Sequence, residues 1–315
     1  MFMSVKIRLA TLDDAKDIVE VYCSSIDKWV KKVGNKELVV SYEELSVAER
    51  FAHGGPWMSI ETLAPHLNYM LINGQYPLVA EVNGKVVGEL ELYIGKEPSP
   101  LGKTAFIDVL EVHKDYRGRG IGKALVNKAI EIAEGSGCDT ISVWPSKEAI
   151  GFYEKCGLAW RVFNIVHLNV NLTKLRNTYV DYWIDEYPAK YSLIEDMVFI
   201  SPRIESSFTA WIKSTWGYSI EERILRSVEG YVRGLDTVFL IESLWGLQDV
   251  ARVFLWVRSE TLIKDSLNYV LNLAKRKGFN SAILYVSNRI YEEFIKDLIP
   301  HEVIGKEIIL AKRLK

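Results

Sequence analysis

Residues 112 to 125, VHKDYRGRGIGKAL, place three glycines and four basic side chains (Lys114, Arg117, Arg119 and Lys123) between an apolar strand pattern and a helical one. Glycine tolerates positive φ and lets a ligand approach the backbone, so successive N–H groups from Gly118 to Lys123 can turn inward at a helix N-terminus and hold an anion. Two common nucleotide loops do not fit. GxGxxG fails because Lys123 stands where the third glycine belongs; a Walker A loop fails because Ala124 follows Lys123 and Arg117 occupies the opening position. What remains, R-x-x-G-x-G after a strand and before a helix, suits a pyrophosphate. Just upstream, FIDVLEV carries Asp108, a carboxylate in an otherwise apolar strand and a candidate proton acceptor.

The surrounding elements must position these groups. VKIRLA alternates Val5, Ile7 and Leu9 as a strand, and Thr11 with Asp14 three residues later opens a helix through Ile18, Val19 and Tyr22. FAHGGPWMS, residues 51 to 59, breaks the chain before a helix carrying Leu63, Leu67, Met70 and Leu71. Asn83-Gly84 between two apolar runs signals a hairpin. After the glycine loop, Ile121, Leu125, Ala129, Ile132 and Ala133 mark one helix face, DTISVW a strand, and KEAIGFYEKCG a short helix stopped by Gly157. VFNIVHLNVNL adds a further strand. Alternation places Asp108 on one strand face with Leu110 and Val112, opposite Glu111 and His113.

Composition narrows the partner. At 315 residues the chain suits two domains, and a net charge of −2 carries no basic surplus of the kind that marks nucleic-acid binding. Cys23, Cys138 and Cys156 have no CxxC spacing and the five histidines no metal spacing, so neither a disulfide framework nor a metal site is expected. No apolar run approaches the roughly 18 residues of a spanning helix, and the N-terminus lacks a signal-peptide core. The expectation is a cytoplasmic protein with a small partner and no membrane.

LEVHKDYRGRGIGKAL resembles the acetyl-CoA loop of the GCN5-related N-acetyltransferase (GNAT) family, and EAIGFYEKCGL resembles the family's later A-x-x-F-Y-x-x-x-G-F segment. The resemblance covers residues 4 to about 171. It departs at Lys114, where the family usually has proline, at Leu158, usually Phe, and at Ser146, near a common Asn contact. It implies an α+β mixed sandwich, the acyl-CoA N-acyltransferase fold, with a mixed central sheet and helices on both faces. It also implies acetyl-CoA as acyl donor. The cofactor-binding residues would be Leu110, Glu111, Val112, Arg117, Gly118, Arg119, Gly120, Ile121, Gly122, Lys123 and Ser146. Tyr153 would protonate the departing thiolate. Asp108 would be the base, with Glu89, Glu91 or water as rivals, and His53 and Trp57 lie where the family places its substrate-gating loop.

The second half repeats the order of elements. TVFLIESL, RVFLWV, TLIKDSLNYVLNLAKRKG, SAILYV and NRIYEEFIKDLI read strand, strand, helix, strand, helix, and AEGSGCDTISVW pairs with AKRKGFNSAILY at equal spacing. The expected arrangement is a tandem: a catalytic domain over 1–171, a junction over 172–199 rich in Tyr and Trp, and a degenerate copy over 200–315. The degenerate copy has RSETLIKDSL for the loop and Phe294 near the tyrosine position. The expected function is direct acetyl transfer to a primary amine of a small molecule, peptide N-terminus or lysine, with a homodimer allowed. The alternative is an acyl-CoA-binding regulatory module without turnover.

Overall fold

Local chemistry sets the first elements. In the computed structural model, which describes residues 4–34, 36–177, 180–200, 206–216, 228–244 and 247–315, Asn83 (φ 51°) and Gly84 (φ 80°) both take positive φ. That is what a two-residue hairpin turn requires. The turn joins strands within a first compact unit made of residues 4–94 and 107–136 together with Trp216. In chain order it holds β1 (Lys6–Leu9), α1 (Ala15–Cys23), β2 (Trp29–Val33), β3 (Lys36–Val40), α2 (Val47–Phe51), α3 (Ile60–Ile72) and β4 (Tyr76–Val82). Then come β5 (Lys85–Glu97), β6 (Gly102–Val112) and α4 (Ile121–Gly135), with the ends of β5 and β6 nearest their connecting turn counted in the second unit.

The strand order is β1-β4-β5-β6, antiparallel from β1 to β5. Thr11 and Asp14 form the expected cap: the Asp14 carboxylate accepts the Thr11 N–H at 2.8 Å and is clamped by Arg8 of β1 at 2.7 Å. The core gathers Ile18, Val21, Trp57, Leu63, Leu67 and Val79. Each such aliphatic side chain contributes about 1.5–3 kcal/mol on burial. On α4 the buried face comprises Ile121, Leu125, Val126, Ala129, Ile130 and Ala133, so Ile132 yields its expected place to Val126 and Ile130. The β2–β3 hairpin and α2 were not foreseen from the sequence.

The second unit comprises residues 95–106, 137–215 and those from 228 onward. Its elements are β7 (Thr140–Val143), α5 (Ile150–Lys155), β8 (Trp160–Asn171), β9 (Ile184–Asp185), β10 (Val198–Ile200), α6 (Ser207–Ser214), β11 (Val228–Val232), β12 (Thr237–Leu244) and β13 (Leu247–Val257). They continue as α7 (Ile263–Arg276), β14 (Ser281–Ser287), α8 (Asn288–Ile290), a π turn over Tyr291–Ile295, and β15 (His301–Arg313). The expected boundaries at 171 and 200 are thus not where the compact units divide. The helix read over 288–299 shrinks to α8 and the π turn, and the junction contains β9 and β10.

The second unit's order is β7-β15-β8-β14-β13-β12-β11-β9. The last strand of the chain, β15, lies between β7 and β8, antiparallel to both. The pair β13–β14 is parallel and spans only Val250–Arg252 against Ser281–Ile283, and α7 forms the crossover. Beyond that point β13 pairs instead with β10, Val198–Ile200 lying antiparallel to Leu255–Val257. The core here runs from Val166, Leu168 and Val170 through Val253, Leu255, Leu267 and Leu284. Glu97 caps α6, accepting the N–H groups of Ser207 at 2.7 Å and Phe208 at 3.0 Å.

Candidate active site

The loop before α4 has the backbone needed to receive an anion. Gly118 (φ 74°) and Gly120 (φ 82°) are left-handed, and a Cβ built on either meets nothing within 4 Å. Glycine is therefore needed for its backbone conformation, and the space above it stays open. Ala124 donates to the Gly120 carbonyl at 3.0 Å, closing the first turn of a 15-residue helix. The N–H groups of Ile121, Gly122 and Lys123 have no intrahelical acceptor, and the positive end of the helix lies at Gly120. These residues fit the diphosphate of an acyl-CoA.

The end of β6 is tied to α1. Arg117 donates to the Val112 carbonyl at 3.0 Å, to Glu111 Oε1 at 2.5 Å and to Ser25 Oγ at 2.6 Å, while Lys114 N–H reaches Ser24 Oγ at 3.0 Å. Arg117 thus secures the loop through Glu111. Arg119 lies 5.3 Å from the Tyr116 ring centre. Leu110 is half-buried, Val112 buried, and Asp108 half-buried on the same strand.

The strand carboxylates Glu89 and Glu91 lie far deeper, at 2% and 1% exposure. Alternation sets them with Tyr93 on one face of β5. Glu91 Oε1 accepts Trp57 Nε1–H at 2.8 Å and contacts His66 Nε2 at 2.7 Å; its Oε2 accepts the Tyr93 hydroxyl at 2.9 Å. Glu89 accepts the Tyr22 hydroxyl at 2.6 Å. Burial, and then the neighbouring Glu89, push the Tyr22 phenol well above its ordinary range, so it remains a donor. Aromatic rings wall this group: Tyr22 stacks on Trp57, and Trp216 stacks on Tyr69 and meets His66 edge-on at 5.3 Å.

The loop from His53 to Trp57 divides in role. His53 Nε2 accepts the Val30 N–H at 2.9 Å and Nδ1 contacts the Glu49 carbonyl at 2.8 Å, so both nitrogens serve the backbone around β2. Trp57 instead reaches Glu91. The sequence reading did not foresee Tyr22, His66, Tyr69, Tyr93 and Trp216 around the carboxylates. One signal was legible: His66 occupies the apolar face of α3 beside Leu63, Leu67 and Met70.

Tyr153 and Ser146 belong to the second unit. Tyr153 is buried in α5, its ring 5.0 Å from Phe152, and Ser146 is exposed at the turn before α5. Nucleophilic thiols are poorly provided for: burial pushes the Cys23 thiol up to about 11 and also raises Cys138. The second unit also holds a cleft of about 940 Å³ whose lining includes Lys96, Phe163, Asp196, Phe199, Glu260 and Arg289. Its cations are already neutralised, Lys96 by Glu195 and Asp196, and Arg289 by Glu260 and Glu293.

Comparison with known proteins agrees with this geometry. The profile of the acetyltransferase (GNAT) family matches residues 41–158. An uncharacterised N-acetyltransferase of Methanocaldococcus jannaschii is 39% identical over 87 residues, 25% of this chain and 37% of that protein. The glucosamine 6-phosphate N-acetyltransferase of Trypanosoma brucei brucei is 35% identical over 75 residues, 24% of this chain and 51% of that protein. The chain therefore spans about a third to a half of the length of these curated relatives. Two GCN5-related N-acetyltransferase structures share the fold nearly end to end. The one from Kribbella flavida has a TM-score of 0.60 at 14% identity, covering 98% of this chain and 71% of that one. The one from Anabaena variabilis has 0.60 at 11%, covering 99% and 73%. With the family profile on residues 41–158 and the family's fold both present, this chain is similar to the GNAT acetyltransferases in its first half and shares their fold.

Proposed function

We propose that the chain transfers an acetyl group from acetyl-CoA to a primary amine of a small molecule or peptide, by direct attack, with catalysis in its first half. The observation that carries this reading is the open, left-handed Gly118–Gly120 cradle at the start of α4. The donor supplies an activated acetyl thioester. The chain's own residues do the rest: the amides of Ile121 to Lys123 hold the diphosphate, the Leu110–Val112 backbone aligns the pantetheine arm, and Tyr153 gives a proton to the thiolate. The raised Cys23 and Cys138 thiols favour direct transfer over an acyl-enzyme. The Cys23 and Cys138 thiols, neither in a disulfide, suit a cytoplasmic setting.

In this reading the second half is a degenerate copy of the first, with β13, α7, β14 and α8 matching β6, α4, β7 and α5. Its loop offers Glu260 and Asp265 in place of glycines, and β10 already pairs with the outer part of β13. It binds no donor of its own. The test is a screen of polyamines, amino acids, aminoglycosides, glucosamine 6-phosphate and N-terminal peptides for CoA release. Turnover of at least one amine is expected; tight acetyl-CoA binding with no release from any acceptor would establish a sensor instead.

A further inference from the structure

An alkylamine of ordinary basicity is mostly protonated at neutral pH, so a group on the enzyme must take its proton before it can attack a thioester. We propose that His66, oriented by Glu91, is that group, and that it serves a cationic alkylamine held on the Trp216 side of the imidazole. The proposal rests on the amine-acetylation reading above.

Hydrogen-bond directions fix the imidazole's tautomer. Glu91 Oε1 already accepts the Trp57 indole N–H at 2.8 Å, and an indole nitrogen can only donate. The same oxygen is 2.7 Å from His66 Nε2, so Nε2 carries the proton and points it at the carboxylate. A neutral imidazole held this way keeps its lone pair on Nδ1. That atom is buried and has no partner among the described residues. A buried acceptor left empty is costly, and a functional demand is one reason such an atom persists.

A second buried polar atom without a partner among the described residues lies on the neighbouring ring: the indole nitrogen of Trp216, whose ring centre is 5.3 Å from that of His66. An ammonium can give a hydrogen bond to Nδ1 but has no lone pair for the Trp216 N–H, which would take an acceptor atom elsewhere on the substrate. Among the described residues, the charged and titratable groups around His66 include Glu91 and Tyr93 on β5, Glu89 with Tyr22 of α1, and Tyr69 on its own helix. Two buried carboxylates and several ring faces favour a cation and repel a phosphorylated acceptor. The step moves one proton. The ammonium N–H bond breaks with its electron pair left on the amine nitrogen, an N–H bond forms at His66 Nδ1, and Glu91 stabilises the imidazolium until its proton leaves to solvent.

The test follows kcat/KM against pH for wild type and His66→Gln, using the best acceptor from the screen together with butylamine and 1,4-diaminobutane. His66→Gln should lose at least about a hundredfold at neutral pH. Its acidic limb should give way to a steady rise with pH, while acetyl-CoA affinity is unchanged. A merely structural histidine would lower the rate by the same factor at every pH, and that result overturns the proposal. Nitrogen-15 spectra of the intact wild-type protein decide independently of turnover and of variant folding. Nε2 should be protonated and Nδ1 bare at neutral pH, with the Nδ1 signal moved by 1,4-diaminobutane; a proton found on Nδ1, or no response to the amine, overturns it. Absence of CoA release with every acceptor would instead count against acetyl transfer itself.

Discussion

At Tyr153 and Gly120 the proposed chemistry can be tested one side chain at a time. Tyr153→Phe removes a proton donor without changing shape, so turnover should fall roughly 10² to 10⁴-fold while calorimetric acetyl-CoA affinity stays close to wild type. Equal turnover would remove the phenol from the reaction. Gly120→Val tests the cradle. Since a Cβ there meets nothing within 4 Å, its penalty is backbone strain at φ 82° with no steric clash. The substituted loop should leave the left-handed region, and acetyl-CoA binding should be lost with the fold retained. Normal binding would contradict the anion site. Gly95 offers the opposite case, because its Cβ would fall 2.2 Å from Phe208 Cγ. Gly95→Ala should lower stability by about 1–3 kcal/mol in chemical denaturation, through overpacking.

Elements are joined by groups whose charge state can be tested. Asp14 links β1 to α1: burial pushes its carboxyl up, but hydrogen bonds from Arg8 and Thr11 outweigh this and leave it below the ordinary carboxylate value. The folded chain then binds this proton less readily than the unfolded one. Its stabilisation is complete above the unfolded value of about 4 and is lost as pH falls through the folded value. Asp14→Asn should therefore cost roughly 0.5–2 kcal/mol at pH 7, the usual worth of a helix cap, and progressively less toward pH 3. A melting-temperature difference that stays constant with pH would exclude the charge. This cap was plain in the sequence because Thr11 and Asp14 are three residues apart. The β2–β3 hairpin escaped notice because Lys36, Glu37, Leu38 and Val39 are all exposed, so no alternation marks a buried face.

For the whole molecule, the proposed degenerate second half implies one donor per chain. Calorimetric titration with acetyl-CoA should give a stoichiometry of one, and two sites would refute the degenerate reading of the second half. A chain cut after residue 171 loses β15, which lies between β7 and β8, and loses Trp216, which packs on His66. We expect it to show poor chemical-shift dispersion and no CoA release. A folded, fully active 1–171 fragment would show that neither feature matters.

The sequence by itself determined what depends on near neighbours: the glycine loop, the Asn83-Gly84 turn, the Thr11 cap and the Gly157 stop (φ 93°) each need residues only a few positions apart. Tertiary structure decided what depends on distant pairing. Strand β15 has two register shifts, at Val303/Gly305 and Ile309/Leu310, which reverse its faces and erase the alternation a reader would seek. Glu91 looked like one of three rival bases. Only the convergence of Trp57, His66 and Tyr93 on its oxygens turned it into a fixed acceptor and left His66 Nδ1 without a partner among the described residues. Those partners are separated by up to 36 positions in the chain. No spacing rule links them; burial of one carboxylate does, because a charge taken out of water must gather its donors from wherever the fold supplies them.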